Sequence, residues 1–423
     1  SLDLIHEAMV VGGGVAGMTA AVSLADQGYK VFLVEREKEL GGRLRELNST
    51  VEGADPKALL SSLEEQVRSH QQIEVLTGKH VLKTGGFVGN YKTTLASTDD
   101  PTQMLIEHGV TILATGGEEY RGPEYLLGQD PHVITQGDLE SRLAQGSSEL
   151  AQAKDIVMIQ CVGPWEEQEF YCSRVCCSVA MKNALLLKKL NPKARVHVLF
   201  KEMRTYGFKE ELYTAAREAG VLMVRYADDR PPRLESRDGH LEMSFWEPGL
   251  GMDISLKPDL VVLSEAVVPS AGTTELASSL KVPLSREGFF LEAHIKLRPV
   301  DFSSEGIFLC GMAQYPKTID ESISQASAAA ARATTILAKK QMLVGGVVAK
   351  VETNKCAACL TCVRVCPFQV PFITEAGVAQ IEASMCQGCG ICAAECPAKA
   401  IQLLNYRDEQ VMAKTDALLV GAR

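Results

Sequence analysis

Cysteines dominate the chemistry that this sequence could support. Four of them lie within seventeen positions, separated by ten residues, then three residues, then none: Cys161, Cys172, Cys176 and Cys177. Thiolates are soft ligands that suit iron–sulfur clusters, and four thiolates around the start of a helix could hold one cubane. A single buried cysteine is usually a small apolar residue. Four in this spacing are hard to explain by packing, so we predict a cluster here.

Eight further cysteines form two copies of the pattern CxxCxxCxxxCP near the end of the chain. In ferredoxin folds with two clusters, the fourth cysteine of each copy ligates the other cluster. The two predicted ligand sets are Cys356, Cys359, Cys362 with Cys396, and Cys386, Cys389, Cys392 with Cys366. The remaining cysteine, Cys310, lies in an apolar strand and is most simply a core residue.

A glycine-rich turn near the start of the chain has the pattern of a dinucleotide-binding site. A predicted strand over residues 8–11 leads into GGGVAG, and a predicted helix continues to about residue 27. A second predicted strand, KVFLVE, ends at Glu35. The glycines permit a tight turn, close approach of the pyrophosphate and close packing of helix and strand, while the acid suits a ribose hydroxyl. The residues predicted to bind are Gly12, Gly14, Val15, Ala16, Gly17, Glu35 and Arg36.

Three later segments resemble those of flavoproteins with two dinucleotide-binding domains, and they indicate FAD. They are a GGR turn, the strand TILATGG, and an apolar strand ending at Gly311 that is followed by a helix of small residues. Free N–H groups at the start of that helix suit the flavin edge or its phosphates. Met312 stands where such flavoproteins usually have the aspartate that meets the ribityl chain. The predicted contacts are Gly42, Arg43, Ala114, Thr115, Gly116, Gly311, Met312 and Ile319.

Residues 155–283 have the pattern of a second α/β unit. A pyridine-nucleotide-binding domain should have a GxGxxG turn after its first strand, because the phosphates need access to the backbone. This chain has CVGPW instead, and the bulky Pro164 and Trp165 would block a pyrophosphate. We therefore predict that a metal cluster replaces the nicotinamide site and that NAD(P)H does not bind here.

Composition excludes several classes of function. The net charge of −10 and the isoelectric point near 5.5 argue against a nucleic-acid-binding surface, which needs a basic face. No apolar run approaches the roughly 18 to 20 residues of a membrane span. Cysteines in metal-ligand spacing without a secretory leader are typical of a reducing cytoplasm, where we place the protein.

The ordered set of motifs resembles the HdrA family of heterodisulfide reductases over essentially the whole chain. The set consists of VVGGGVAGMTAA, the four-cysteine box followed by Lys182, GMAQYPKTIDESISQASAAAA and the two-cluster ferredoxin pattern. The resemblance implies that the four cysteines of the box are cluster ligands and that Lys182 lies near the reactive N5 of the flavin. It also suggests that an N-terminal cluster domain, which full-length archaeal members carry, is missing from this chain.

We therefore expect an α/β fold, namely a thioredoxin-reductase-like flavoprotein with a C-terminal ferredoxin domain that holds two [4Fe–4S] clusters. The expected cofactors are FAD and three [4Fe–4S] clusters in total. The expected units are the first part of the FAD domain (1–150), the second Rossmann-like domain with the cysteine box (151–285), the return to the FAD domain (286–342), the ferredoxin domain (343–404) and a helical tail (405–423). From residue 401 to about 419, the pattern predicts one helix followed by a short segment that leaves the domain. We expect this helix to pack on a neighbouring element of this chain or of a partner.

The family resemblance implies an oxidoreductase subunit that splits or merges electron pairs. The expected partners are HdrB- and HdrC-like subunits, an MvhD-like or other electron-input subunit, and ferredoxin, in a large hetero-oligomer that could dimerise through this chain. Two alternatives stay open: a self-contained NAD(P)H- or ferredoxin-dependent flavoenzyme akin to the small subunit of glutamate synthase, and a relay or scaffold subunit. The terminal substrate stays open too, because other subunits would bind it.

Overall fold

The computed structural model describes residues 2–165, 169–342, 347–383 and 385–420. The first part of the chain contains β1 (Leu2–Asp3), β2 (Glu7–Val11), α1 (Val15–Ala25), β3 (Lys30–Glu35), α2 (Pro56–Ser69), β4 (Ile73–Thr77), β5 (Lys79–Phe87), β6 (Asn90–Ser97), β7 (Gln103–His108), β8 (Val110–Leu113) and β9 (Gly117–Glu119). Strands β2 and β3 are apolar at nearly all their buried positions, as expected for parallel strands covered on both faces.

The second part contains β10 (Val133–Thr135), α3 (Gln136–Ala144), α4 (Ser148–Gln152), β11 (Asp155–Val162), α5 (Cys176–Leu190), β12 (Arg195–Phe200), α6 (Glu210–Glu218), β13 (Leu222–Arg225), β14 (Arg233–Arg237), β15 (His240–Glu247), β16 (Met252–Leu256) and β17 (Leu260–Glu265). Its parallel sheet has the order β10-β17-β11-β12-β13, and an antiparallel sheet of β14, β15 and β16 accompanies it. The carboxyl ends of the parallel strands meet at one edge, where ligands bind in folds of this type.

The chain then returns to the first sheet through β18 (Val267–Pro269), α7 (Thr273–Leu280), β19 (Ile307–Leu309), α8 (Ile319–Leu337) and β20 (Gln341–Met342). Strand β19 completes the first parallel sheet, whose order is β19-β8-β2-β3-β4. One core lies between this sheet and helices α1, α2 and α8, and a second lies between the sheet, the antiparallel β5-β6-β7 sheet and α7. Strands β9 and β18 pair antiparallel and form the two-stranded link between the two parallel sheets.

Two elements lie on the other side of a predicted domain limit from where the sequence placed them. Strand β10 pairs in parallel with β17, so residues 133–144 belong to the second sheet although the sequence analysis put the limit at residue 151. Helix α7 packs into the core of the first sheet, ahead of the expected return at residue 286. Both elements are short and lack a motif of their own, and only long-range pairing assigns them to a sheet.

The ferredoxin module contains β21 (Ala349–Val351), α9 (Thr361–Val365), β22 (Phe372–Ile373), β23 (Ala379–Gln380), α10 (Ile391–Ala394), β24 (Ile401–Leu403) and the tail helix α11 (Asp408–Val420). Strand β24 pairs with β21, so the prediction that residues 401–403 begin a helix was wrong. The helix starts only at Asp408, and all its side chains are exposed rather than packed against this chain. Among the helices that the structure describes, none combines the length and apolar character needed to cross a bilayer.

Candidate functional site

The glycine turn after β2 leaves an open groove at the start of α1. Gly12 has a φ of +111°, and a Cβ there would lie 2.3 Å from the carbonyl oxygen of Ala114. A Cβ at Gly17 would lie 1.8 Å from the carbonyl oxygen of Gly12, so both positions require glycine. No heavy atom lies within 4 Å of a Cβ built on Gly14, which is the N-cap of α1. The groove therefore fits a pyrophosphate at a helix N-terminus.

The acid at the end of β3 is held rigidly. Glu35 is buried, and its carboxylate accepts hydrogen bonds from the backbone N–H of Gly13 at 2.6 Å and of Glu37 at 2.8 Å. A carboxylate fixed in this way is preorganised for a ribose hydroxyl. Arg36, in contrast, turns to the link between the sheets: it donates to Glu118 at 2.7 Å and to the carbonyl oxygen of Ala271 at 3.0 Å. The structure therefore does not bring the side chain of Arg36 into the groove.

The other predicted flavin contacts lie along the same groove. A Cβ at Gly42 would lie 3.4 Å from the Cα of Gly14, and one at Gly311 would lie 2.7 Å from the Cβ of Ala16. The hydroxyl of Thr115 is buried and has no hydrogen-bond partner within the described part of the chain. An orphaned donor beside glycines that leave room for a ligand fits FAD. These contacts, with Ile319 at the start of α8, stay predictions.

Met312 follows Gly311 directly and is close to the link between the two sheets. Its Cβ is 3.7 Å from the position that a Cβ on Gly117 would take, at the start of the link strand β9. The residue that replaces the usual aspartate therefore packs towards the link. An apolar side chain cannot supply the hydrogen bond of a carboxylate, so any ribityl contact must come from other groups.

The four cysteines of the box surround one cavity at the carboxyl edge of the second sheet. Its lining comprises Cys161, Val162, Trp165, Phe170, Tyr171, Cys172, Ser173, Cys176, Cys177, Ser264, Glu265 and Ala266. Strand β11 supplies the first cysteine and the start of α5 supplies the last two. Within the described ranges, no three His, Cys, Asp or Glu side chains are arranged to hold a single metal ion. Four soft thiols around a largely apolar cavity instead fit a cluster.

The thiols in this cavity differ in acidity. Burial raises the pKa of Cys161 to about 11. A hydrogen bond from the adjacent Cys176 thiol lowers the pKa of Cys177 to about 7.

Trp165 fills the place of a nucleotide-binding turn. Its indole N–H donates to the carbonyl oxygen of Cys161 at 2.8 Å, and a Cβ on Gly163 would lie 2.4 Å from its ring. The ring also packs edge to face on Tyr171, with the ring centroids 5.2 Å apart. Backbone access at this turn is therefore closed. The predicted exclusion of NAD(P)H stays a prediction.

Sequence reasoning missed Glu265, which ends β17 and lines the same cavity. Both of its carboxylate oxygens are buried and have no hydrogen-bond partner among the residues that the structure describes. Burial raises its pKa to about 8, and the neighbouring Glu119 adds to the effect. The only signal in the sequence was an acid at the end of the apolar run LVVLSE.

Lys182 does not line the thiol cavity but reaches the first domain. Its ammonium donates to Glu140 at 2.5 Å and to the carbonyl oxygen of Ser49 at 3.0 Å. Glu140, which the sequence analysis missed, also accepts from the backbone N–H of Asn48 at 2.6 Å and of Ser49 at 3.1 Å. The pair therefore joins α3 and α5 to the loop that follows the GGR turn. The predicted role of Lys182 beside N5 stays a prediction.

The ferredoxin module contains both predicted ligand sets. The first set, Cys356, Cys359, Cys362 and Cys396, lines one cavity. In the second set, burial raises the pKa of Cys392 to about 11, and the charges of Cys386, Cys366 and Cys389 add to the effect. The grouping of this set stays a prediction. Backbone N–H groups donate to sulfur atoms in both sets, from Ala379 to Cys356 at 3.3 Å and from Ala349 to Cys386 at 3.4 Å. Such bonds tune cluster potentials.

Two parts of the chain match family models, and solved structures share the larger part of its fold. Residues 6–156 match the pyridine nucleotide-disulphide oxidoreductase family, and residues 349–404 match the 4Fe-4S dicluster domain. Thioredoxin reductase of T. acidophilum is 14% identical, with a TM-score of 0.53 over 78% of this chain and 97% of that chain. The enzyme of Lactococcus lactis is 18% identical, with a TM-score of 0.54 over 78% of this chain and 99% of that one.

The fold and the cysteine sites define an iron–sulfur flavoprotein oxidoreductase with a thioredoxin-reductase-like body and a C-terminal dicluster domain. Its relatives narrow this class further. The A subunit of H(2):CoB-CoM heterodisulfide,ferredoxin reductase from Methanothermobacter thermautotrophicus is 32% identical over 98% of this chain and 76% of that protein. The A subunit of ferredoxin:CoB-CoM heterodisulfide reductase from Methanosarcina acetivorans is 30% identical over 99% of this chain and 67% of that protein. The chain belongs to the HdrA family of heterodisulfide reductases, so the predicted family, fold class and enzyme class are confirmed.

Proposed function

We propose that this chain is the electron-distributing subunit of a heterodisulfide-reductase-like complex and that it holds FAD and three [4Fe–4S] clusters. The thiol cavity at Cys161, Cys172, Cys176 and Cys177 carries the proposal. It lies at the strand end where a pyridine nucleotide would bind in a two-domain reductase. Since Trp165 covers that turn, we infer that electrons reach the flavin by another route.

The chain's own residues would bind and orient the flavin. Gly14 and Gly42 leave the groove open, and the N-terminus of α1 offers free N–H groups to a pyrophosphate. The ammonium of Lys182 would favour negative charge on a ring beside it. FAD supplies a carrier that takes up electrons in pairs and releases them singly.

The thiols would hold one-electron carriers in two places. One site lies at the carboxyl edge of the second sheet. Two sites lie in the ferredoxin module, which contacts the body where Lys281 donates to the carbonyl oxygen of Gln369 at 3.3 Å. Cys359 and Cys389 are exposed, so the module presents its sites to partners. None of the thirteen cysteines, all within the described residues, forms a disulfide. A reducing compartment such as the cytoplasm would keep the twelve proposed ligands available as thiols.

We infer that an electron pair enters from an MvhD-like or other electron-input subunit. One electron would leave to HdrB- and HdrC-like subunits and one to ferredoxin, in a large hetero-oligomer. The support is the family: relatives are named as reductases of CoB-CoM heterodisulfide together with ferredoxin. The identity of the terminal acceptor follows from the partner subunits rather than from this chain.

Iron content tests the third cluster. The purified holoprotein should contain about twelve iron atoms and one FAD, and Cys172→Ala should lower the iron to about eight. Cys310→Ala is the matched control, because Cys310 is buried directly after β19 and does not line the cavity, so its iron content should stay at about twelve. A wild-type protein with only eight iron atoms would refute the third cluster.

Coupling distinguishes a bifurcating subunit from a simple relay. The intact complex would be supplied with its two-electron donor, and ferredoxin reduction would be followed with and without the high-potential acceptor. Bifurcation requires that ferredoxin is reduced only while the acceptor is reduced as well, in equal electron numbers. Ferredoxin reduction that continues without the acceptor would show a relay instead.

A further inference from the structure

We propose that Arg174 is a positioning residue that ties the cysteine loop to the N-terminus of α8 and raises the reduction potential of a cluster held by that loop. The inference rests on the proposed function, since it concerns the third cluster. Arg174 lies between Cys172 and Cys176 in the sequence. Its backbone binds the cysteine loop, and its side chain binds the residues at the start of α8.

The backbone of Arg174 serves the cysteine loop. Its φ is +63°, a left-handed conformation that residues with a Cβ rarely adopt. In this conformation the N–H of Arg174 donates to the sulfur of Cys172 at 3.3 Å. Hydrogen bonds to ligand sulfurs are among the groups that set cluster potentials. The unusual conformation is therefore used to aim a donor at a predicted ligand.

The side chain of Arg174 reaches out of the loop to two other elements. Its guanidinium donates to Glu321 at 2.6 Å and to the carbonyl oxygen of Pro316 at 3.3 Å, both in the first domain. It also donates to the hydroxyl of Tyr206 at 2.7 Å, in the second domain. The N–H donors of a guanidinium point in fixed directions in one plane, and here three acceptors lie along them. A lysine ammonium cannot reproduce this arrangement.

Glu321 extends this connection to the helix that we predict to face the flavin. One carboxylate oxygen accepts from Arg174, and the other accepts from the backbone N–H of Thr318 at 3.0 Å, in the capping box of α8. A continuous series of hydrogen bonds therefore runs from Cys172 through Arg174 and Glu321 to Thr318. It joins the cluster loop to the start of α8 across the boundary between the domains.

The charges of Arg174 and Glu321 should have opposite effects on the reduction potential of the cluster. A cluster becomes more negative when it is reduced, so the nearby cation of Arg174 stabilises the reduced form and raises the potential. The carboxylate of Glu321 offsets part of that field. Arg204 is a second cation near the thiols, and its charge acts on Cys172 at least as strongly as that of Arg174. It is paired with Glu202 at 2.6 Å and is not part of the series that joins the loop to α8.

The experiment compares Arg174→Gln, Arg174→Lys and Glu321→Gln in the intact holoprotein. Redox titrations followed by electron paramagnetic resonance would give the potential of each cluster, and rapid mixing would give the rate of electron transfer between flavin and cluster. R174Q should lower the potential of the third cluster, and E321Q, which still caps α8, should raise it. R174K should keep the potential near that of the wild type but slow the transfer at least several-fold.

A matched control is Arg195→Gln, because Arg195 is paired with Asp155 at the opposite end of the same sheet and should leave all potentials unchanged. A merely structural role would shift R174Q and E321Q in the same direction, and that outcome would overturn the inference. So would unchanged potentials and transfer rates in variants that hold about twelve iron atoms. A wild type with about eight iron atoms would instead overturn the proposed function, and the inference with it.

Discussion

The ammonium of Lys182 lies 2.5 Å from a carboxylate oxygen of Glu140, and both side chains are almost completely buried. Removing two charges from water is unfavourable unless further hydrogen bonds satisfy them. Here the loop after the GGR turn supplies them, through the carbonyl oxygen of Ser49 to the lysine and the N–H groups of Asn48 and Ser49 to the carboxylate. The pair therefore links the two domains as well as its own two helices.

Removing the charge of Glu140 should be strongly destabilising. Glu140→Gln leaves the ammonium of Lys182 buried without a counter-ion, and breaking such a pair typically costs about 3–5 kcal/mol. The control is Glu149→Gln, because Glu149 forms an exposed pair with Arg142 and should cost less than about 1 kcal/mol. Urea unfolding of both variants measures the difference. Equal midpoints would contradict a structural role for the buried pair.

Replacing Lys182 should alter the flavin if the lysine lies beside it. Lys182→Ala removes a cation and leaves the carboxylate of Glu140 unpaired, so we expect lower flavin midpoint potentials. Lys189→Ala, near the end of the same helix, is the control and should leave them unchanged. The measurement is a spectroscopic redox titration of the holoprotein. Flavin potentials that match the wild type in Lys182→Ala would reject the predicted proximity to N5.

Stability should fall with rising pH because of Glu265. Its pKa is raised from 4.5 to about 8 in the folded protein, so between these values the folded state binds more protons than the unfolded chain. The contribution of Glu265 to the free energy of unfolding is therefore fully present below about pH 4.5. It is lost as the pH rises to about 8. The loss is at most about 5 kcal/mol, since one pKa unit corresponds to about 1.4 kcal/mol.

The neutral mimic Glu265→Gln should flatten this dependence and be more stable than the wild type at pH 8, with little difference at pH 5. Denaturant unfolding across this range is the measurement. The charges of Glu119, Asp138 and Arg121 also influence the pKa of Glu265. They therefore contribute to the same dependence of stability on pH. The exposed Glu218→Gln is the control. A wild-type pH profile retained in Glu265→Gln would show that another group is responsible.

Paired cysteine variants test the exchange of ligands in the ferredoxin module. Cys356 and Cys396 belong to one predicted cluster, so the double variant Cys356→Ala/Cys396→Ala should lose about four iron atoms, no more than either single variant. Cys356→Ala/Cys366→Ala should lose about eight, because its members belong to different clusters although they share one sequence run. Iron analysis and electron paramagnetic resonance distinguish the two. Losses in the reverse pattern would show that each run binds its own cluster.

The sites that sequence alone located are those whose residues are close together in the chain. The GGGVAG turn and the cysteine runs are local, since a tight turn or a metal centre imposes its spacing on neighbouring residues. The strands on either side were recognisable because buried parallel strands are largely apolar, as in KVFLVE and RVHVLF. This was enough to predict the fold class and the family.

Tertiary structure alone decided the contacts between segments that are distant in the chain. Glu140 meets Lys182 across 42 positions, and Arg174 meets Glu321 across 147, so no periodicity or spacing records either pair. Strand β24 was mistaken for a helix because three residues are too few to show a period, and only pairing with β21 defines it. Glu265 looked like an ordinary strand end, because the burial that raises its pKa comes from elements packed around it. Local pattern therefore determined the cofactor motifs, and long-range packing determined the charges placed around them.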